Sequence, residues 1–444
     1  MKKVLILIVF LLVGFIYFFK LNNDVSLKKE YLNIKYEKIG EKQAGLRVVF
    51  NNNKVGLIKE KTNEVVVDLK YDKLYFLSNN LILTQLDDKF GLLDKNGEEL
   101  LKPIYNGSRD LNDNLILLNN NGKFSIFNIK TKEEIIVDVD ELLKINNKYI
   151  LAKKQGKYGI INFEGKEVIP FEYKYLQLFK EGLTIAVNKK DKLGYINEKN
   201  EFTLKEGYQY IFEFSGNYAI AIKNEKYGMI DKTGKEVIQF KYDNLFKVAE
   251  NRYGAKTIEG VILLDNNGNK IDSEVYEVLG KVSENKIPMK KNGKYGIIDI
   301  DGKEIINPKY LEIGEFKNNL AIVLDSKVKK YGVINDKGDY VIPPEYLYIK
   351  SRTSNYFIAG DEHGEEKLFN KEGKKIILSS NEVNFLNEKV ALGNGYLSDE
   401  VEIIIMINGK EKILKEKKGN IVLINLEEII IKKEGRYEII SLNI

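Results

Sequence analysis

The sequence predicts an all-β fold made of tandem antiparallel units, and three observations carry that prediction. A short motif recurs with its first position at 54, 89, 123, 157, 192, 226, 260, 294 and 330, in steps of 34 to 36 residues. Each unit holds short clusters of Ile, Val and Tyr, broken about every ten residues by Gly, Pro, Asn or Asp. Turn signatures such as Asp94-Lys95-Asn96-Gly97 and Asp231-Lys232-Thr233-Gly234 stand between the clusters. A period of about 34 residues also suits helical tetratricopeptide repeats, but these clusters leave no room for two helices of about twelve residues each.

The chain has 444 residues, 43% hydrophobic and 30% charged, which suits a folded, water-facing protein with ample core. It begins with Lys2 and Lys3, followed by an uncharged run from Val4 to Phe19 and then Lys20. At about 1.5 Å per residue this run is roughly 24 Å long as a helix, enough to span a bilayer if Lys3 and Lys20 snorkel. No small-x-small pattern follows it, so residues 1–20 are expected to form an uncleaved signal-anchor, with secretion after cleavage as the alternative. The leading lysines favour a cytoplasmic N-terminus and place residues from about 21 onward outside the cytoplasm, in the periplasm or at the cell surface. Residues 21–30 are polar and charged and read as a short tether.

Regular units occupy residues 31–378. The clearest runs Lys294-Tyr295-Gly296-Ile297-Ile298-Asp299, then Gly302-Lys303-Glu304-Ile305-Ile306, and ends at Tyr310. Lys157-Tyr158-Gly159, Lys226-Tyr227-Gly228, Lys330-Tyr331-Gly332 and Lys89-Phe90-Gly91 open close copies. Weaker copies begin at Lys54, Lys123 and Lys192, and Tyr173 and Tyr242 close two of the strong ones. Asp at the first turn position can accept backbone hydrogen bonds, and Gly at the fourth takes the left-handed conformation of a bulge. Asn200 stands where one Gly is expected, and Asn tolerates that conformation next best. A further strand precedes each lysine, as in Leu183-Thr184-Ile185-Ala186, so a unit holds three or four strands. Residues 379–444 read as degenerate copies: Asn381 to Glu402 shows no clear unit, while Lys412-Ile413-Leu414-Lys415 and Glu438-Ile439-Ile440-Ser441 look worn.

These motifs resemble the bacterial WG repeat family, also called KWG repeats, over most of the chain from about residue 31. The departure is the complete absence of Trp: Tyr158, Tyr227, Tyr295, Tyr331 and Phe90 occupy the aromatic position, and Leu193 and Val55 replace it with an aliphatic residue. The resemblance implies repetitive, propeller-like β-structure and no shared enzymatic activity. A β-solenoid is the alternative. With eleven or twelve units, more than the usual four to eight blades of one ring, two closed rings or an open stack are both compatible.

Composition excludes several chemistries. There is no cysteine, hence no disulfide, thiolate metal site or lipidated cysteine, and a lone histidine, His363, rules out a multi-histidine metal centre. His363 lies in Asp361-Glu362-His363-Gly364 and reads as an exposed turn, since no Gly-x-Ser-x-Gly elbow accompanies it. Asp265 to Asn269 and Asp299 to Gly302 imitate calcium loops, but their Gly comes fourth rather than sixth. Lys plus Arg 70 against Asp plus Glu 65 gives a net charge of +5, far from a nucleic-acid-binding stripe. The basic cluster Lys410, Lys412, Lys415, Lys417 and Lys418 is diluted by Glu411 and Glu416. The recurring Tyr is expected to stack between units rather than on sugars. No catalytic, metal or cofactor-binding residue is singled out. The expected role is a non-catalytic, membrane-tethered extracytoplasmic scaffold for an unidentified protein or glycan of the cell envelope, with no nucleic-acid partner. A glycan-active enzyme and a purely structural envelope protein are the alternatives.

Overall fold

The computed structural model describes residues 28–32, 35–77, 80–202, 207–351, 355–376, 378, 382–387, 389–394, 399–407, 410–417, 420–425, 427–433 and 436–442. The apolar run Val4 to Phe19 and most of the tether lie outside them. Among the described residues there is no α-helix, and so none long and apolar enough to cross a membrane.

The chain divides into two compact units. The first comprises Lys42–Asn292 and Ile297–Glu304. The second comprises the described residues up to Glu41, Gly293–Gly296, and the described residues from 305 onward.

In the first unit the repeat is a four-stranded antiparallel meander. The sheet Tyr210–Ile211, Tyr218–Lys223, Lys226–Asp231 and Glu236–Tyr242 shows how sequence makes it. Asn224 and Glu225 both take positive φ and close the two-residue hairpin between the second and third strands, whose twist matches that of the strands. The Asp231 carboxylate then accepts the backbone N–H of Thr233 at 2.9 Å and of Lys235 at 3.0 Å, while Gly234 sits at φ 79°. This is the turn chemistry expected from the sequence. Tyr227 pairs with Tyr242 and Met229 with Ile238, so the fourth strand carries two more residues than the third between the same rungs. That bulge arches over Gly228, where a Cβ would lie 2.7 Å from the Ile238 carbonyl oxygen and 2.7 Å from the Phe240 ring. Glycine follows the aromatic residue because nothing larger fits beneath the bulge.

Hydrophobic layers form between consecutive sheets. Met229, Ile238 and Tyr242 of one sheet pack with Leu245, Tyr253, Ile262 and Leu264 of the next. Second and third strands are buried on both faces, which is why Ile150-Leu151-Ala152 and Ile160-Ile161 are continuous apolar runs rather than alternating ones.

The structure corrects one expectation. The aromatic before Gly is only half-buried at Phe90, Tyr158, Tyr227, Tyr295 and Tyr331. The fully enclosed ring is the tyrosine that ends the unit: Tyr71, Tyr105, Tyr173 and Tyr242 in the first unit, Tyr310 and Tyr346 in the second. The bulge is the reason, because it turns the closing tyrosine into the layer between sheets and leaves its cross-strand partner at the rim.

In the second unit, sheets of the same plan follow at Tyr348–Ser351 to Lys375–Ile376 and at Glu382–Phe385 to Lys410–Lys417. The stretch 381–402, in which the sequence shows no clear repeat, thus supplies strands of a complete four-stranded sheet. Its last hairpin, Glu400–Ile407 with Lys410–Lys417, is longer than the other hairpins among the described residues, and the sequence there carries Gly409-Lys410-Glu411. In the final sheet, Ile421–Ile424, Glu428–Lys433 and Arg436–Ser441 are joined by Lys28–Leu32, which pairs antiparallel with Arg436–Ser441. Residues 28–30, read from the sequence as the end of the tether, belong to this strand. Lys29 bonds the buried Glu438 carboxylate at 2.5 Å, fastening the first described strand to the last.

Candidate functional site

Most polar groups singled out in the sequence serve turns. Asp361 accepts the backbone N–H of His363 and of Glu365, both at 3.0 Å, and the His363 ring points outward with 77% of its side chain exposed. Asp265 accepts Asn267 and Asn269 N–H at 2.8 Å, and Asp299 accepts Asp301 and Lys303 N–H at 2.9 Å. These carboxylates are occupied by their own backbone. Among the described residues no group of three or more His, Cys, Asp or Glu is placed to hold a metal ion. In the basic cluster Lys415 stands opposite Glu402 and Lys417 opposite Glu400, while Glu416 bonds Lys433 at 2.5 Å.

Two features of the first unit remain free to meet a ligand. One is an aromatic ledge. The first strand of a unit is short and alternates outward and inward, so Tyr175 and Tyr210 are exposed while Leu176 and Ile211 are buried. Tyr210 meets Phe212 edge-on at 4.8 Å, and Phe212 stacks on Tyr227 at 6.5 Å. Tyr175 lies 6.0 Å from Tyr158, over whose ring the Lys153 ammonium sits at 4.8 Å. The half-buried aromatics thus support exposed ones.

The other is a cleft of about 490 Å³ beside the sheet that runs from Tyr175 to Asn197. Among the described residues this sheet has three strands, Tyr175–Leu176, Leu183–Val187 and Leu193–Asn197, followed by a bridge from Ile196 to Phe202. Leu193 takes the aromatic position, and Phe202 lies over Gly194 with 39% of its surface exposed. The two-residue hairpin of the Tyr210–Tyr242 sheet is replaced here by a longer turn. Asn188 Oδ1 accepts the N–H of Lys190 at 2.9 Å and of Lys192 at 3.1 Å, and Asp191 takes φ 62°. Lys189, Lys190 and Lys192 are thereby raised on the rim. On the opposite wall the buried Tyr173 donates its hydroxyl to Asn200 Oδ1. Burial, reinforced by the Glu172 charge, raises the Tyr173 pKa, and the Asn200 bond opposes it. Glu172 is the one carboxylate in the lining, 3.8 Å from Lys189. Sequence reasoning noted Leu193 and Asn200 as departures without seeing that they lie together, and passed over Phe202 and the lysines.

No curated protein matches the chain. Solved structures similar to it include the extracellular domain of BT4673 from B. thetaiotaomicron, at 9% identity and TM-score 0.20, over 89% of this chain and 69% of that one. The extracellular domain of the hybrid two component system BT3049 from the same organism matches at 11% identity and TM-score 0.21, over 95% and 75%. PorZ, a surface component of the type-IX secretion system of Porphyromonas gingivalis, matches at 10% identity and TM-score 0.20, over 91% and 62%. The family model described as WG containing repeat matches at residues 56–90, 90–124, 158–192, 194–227, 227–257, 295–325 and 331–359. Those seven matches follow the aromatic-Gly step and the turn described above, and on them the chain belongs to the WG-repeat family.

Proposed function

We propose that this chain is a non-catalytic scaffold, held at the membrane by Val4 to Phe19, that presents its repeats outside the cytoplasm to a glycan or protein of the cell envelope. The observation that carries the reading is the aromatic ledge, where Tyr175, Tyr210 and Phe212 offer exposed ring faces on a rigid sheet. Sugar rings stack on such faces through their C–H edges, and preorganised rings cost little entropy on binding. The polar side chains of the turns are occupied by structure, which supports binding rather than chemistry. The four-stranded meander is read as a propeller-type blade, and the pairing of Lys28–Leu32 with Arg436–Ser441 favours this over a solenoid.

The test uses the full chain, in membranes and then in detergent, against arrays of envelope glycans. Saturable binding that Tyr175→Ala and Tyr210→Ala abolish, with unchanged unfolding midpoints, supports the reading. Release of shortened glycan products overturns it, as does a mature N-terminus near residue 20 for the anchor.

A further inference from the structure

The irregular unit points to a second, charge-selective site. We infer that the cleft between Tyr173 and Phe202 binds an anionic sugar, with its carboxylate or phosphate held by the lysine rim and the Asn188 and Asn200 amides and its ring face against Phe202.

The chemistry of the lining is asymmetric. Both amide oxygens are already engaged: Asn188 Oδ1 by the N–H groups of Lys190 and Lys192, Asn200 Oδ1 by the Tyr173 hydroxyl. What each amide turns outward is therefore its NH2, a donor. Lys189 and Lys190 add ammonium donors from exposed turn positions, and Lys190 has no ion-pair partner among the described residues. Against these stands Glu172 alone, loosely paired with Lys189. A donor-rich wall with a net positive rim selects an acceptor carrying negative charge. Phe202, exposed and lying across Gly194, offers an apolar face that a bare inorganic anion would not use. The volume of about 490 Å³ falls within the ~300–1,000 Å³ typical of ligand pockets. The lysine turn and Asn200 are departures from the repeat that the neighbouring Tyr210–Tyr242 sheet lacks: its hairpin is Asn224-Glu225 and its turn residue is Gly234.

This inference rests on the scaffold reading for the saccharide body of the ligand, and its test separates the two. Titration calorimetry on the full detergent-solubilised chain uses oligogalacturonate, glucose 1-phosphate, a neutral oligosaccharide and inorganic phosphate. Binding of either sugar anion, at least about tenfold tighter than of neutral sugar or inorganic phosphate and weakening with added salt, is expected. Preference for the uronate or for the sugar phosphate identifies the source of the charge. Lys189→Gln with Lys190→Gln should cost about tenfold or more for the anionic probe, and Phe202→Ala should abolish its advantage over inorganic phosphate. Tyr210→Ala should leave this affinity unchanged, so loss of neutral-glycan binding in that variant bears on the ledge alone. Equal affinity for neutral and anionic sugars, or for inorganic phosphate and sugar phosphate, overturns the inference, as does an unaffected Lys189→Gln/Lys190→Gln variant.

Discussion

Two neighbouring sheets, one spanning 210–242 and the other 175–197, are cut from the same repeat, yet they use its positions for opposite ends. In the first, the fourth strand bulges over Gly228, Tyr242 fills the layer beside Leu245 and Tyr253, and a two-residue hairpin keeps the rim short. In the second, Phe202 bridges to Ile196, a turn lifts Lys189 and Lys190, and Asn200 supplies a side chain where glycine would have none. The frame survives because Ile185 and Tyr195 still pack with Ile211, Phe214 and Ile230 of the following sheet. Buried layers between sheets hold the fold, so the outer strand and the hairpin are free to vary, and variation there makes a cleft.

The largest effect that sharpens this contrast is expected at the closing tyrosine. Tyr242→Ala removes an enclosed ring and should destabilise by about 3–5 kcal/mol, whereas Tyr227→Ala, removing a half-buried ring, should cost no more than about half as much. Denaturant midpoints of the two variants measure the difference, and equal shifts would restore the aromatic-Gly ring to the core. Next come the glycines. At Gly228 an added methyl meets the Ile238 backbone carbonyl, which cannot step aside, so Gly228→Ala should cost about 1–3 kcal/mol. At Gly194 the atoms nearest the methyl all belong to the exposed Phe202 ring, which can swing away, so Gly194→Ala should be milder while disturbing the cleft.

Asn200 gives a finer test. It holds φ 64°, a conformation that costs other L-residues about 1–2 kcal/mol. Asn200→Ala should therefore destabilise by roughly that amount, while Asn200→Gly should be close to neutral because relief of backbone strain offsets the lost Tyr173 bond. A large loss in Asn200→Gly would show that the bond to Tyr173, and not the turn, fixes this wall.

What could be read from sequence follows the range of the interaction. The 34 to 36-residue rhythm, the strand clusters and the Asp-x-x-Gly turns are local, and the structure carries them almost unchanged. Which of two tyrosines is buried is not local. Tyr227 and Tyr242 are cross-strand partners, and only the bulge between them decides which enters the layer. The signal was present in the recurring terminal Tyr173, Tyr242 and Tyr310, which pattern reading treats as an end marker. The sheet Glu382–Phe385 to Lys410–Lys417 escaped for a different reason: no aromatic-Gly pair marks its strands, so their pairing defines it. The cleft was visible only as separate exceptions, Leu193 and Asn200, whose adjacency needs three dimensions.

The smallest expected effect concerns acid. The turn of the regular sheet is organised by a carboxylate, Asp231, whose pKa is lowered below 3.8 by the Thr233 hydroxyl and by the N–H groups of Lys235 and Thr233. The corresponding turn of the irregular sheet is organised by Asn197, which accepts the N–H of Lys199 and Glu201 at 3.0 Å and carries no titrating group in that role. A depressed carboxylate pKa means that the native state holds its proton more weakly than the unfolded one. Its stabilisation is complete above the unfolded value and is lost as the pH falls through the folded one. Between about pH 5 and pH 2.5, amide exchange measured against intrinsic rates should show protection at Lys235 declining while that at Glu201 holds. The exposed position of Asp231 keeps the change small. Asp231→Asn should make the two turns behave alike, and a parallel decline at both amides in the unmodified chain would mean that acid loosens the sheets as a whole rather than the carboxylate turn.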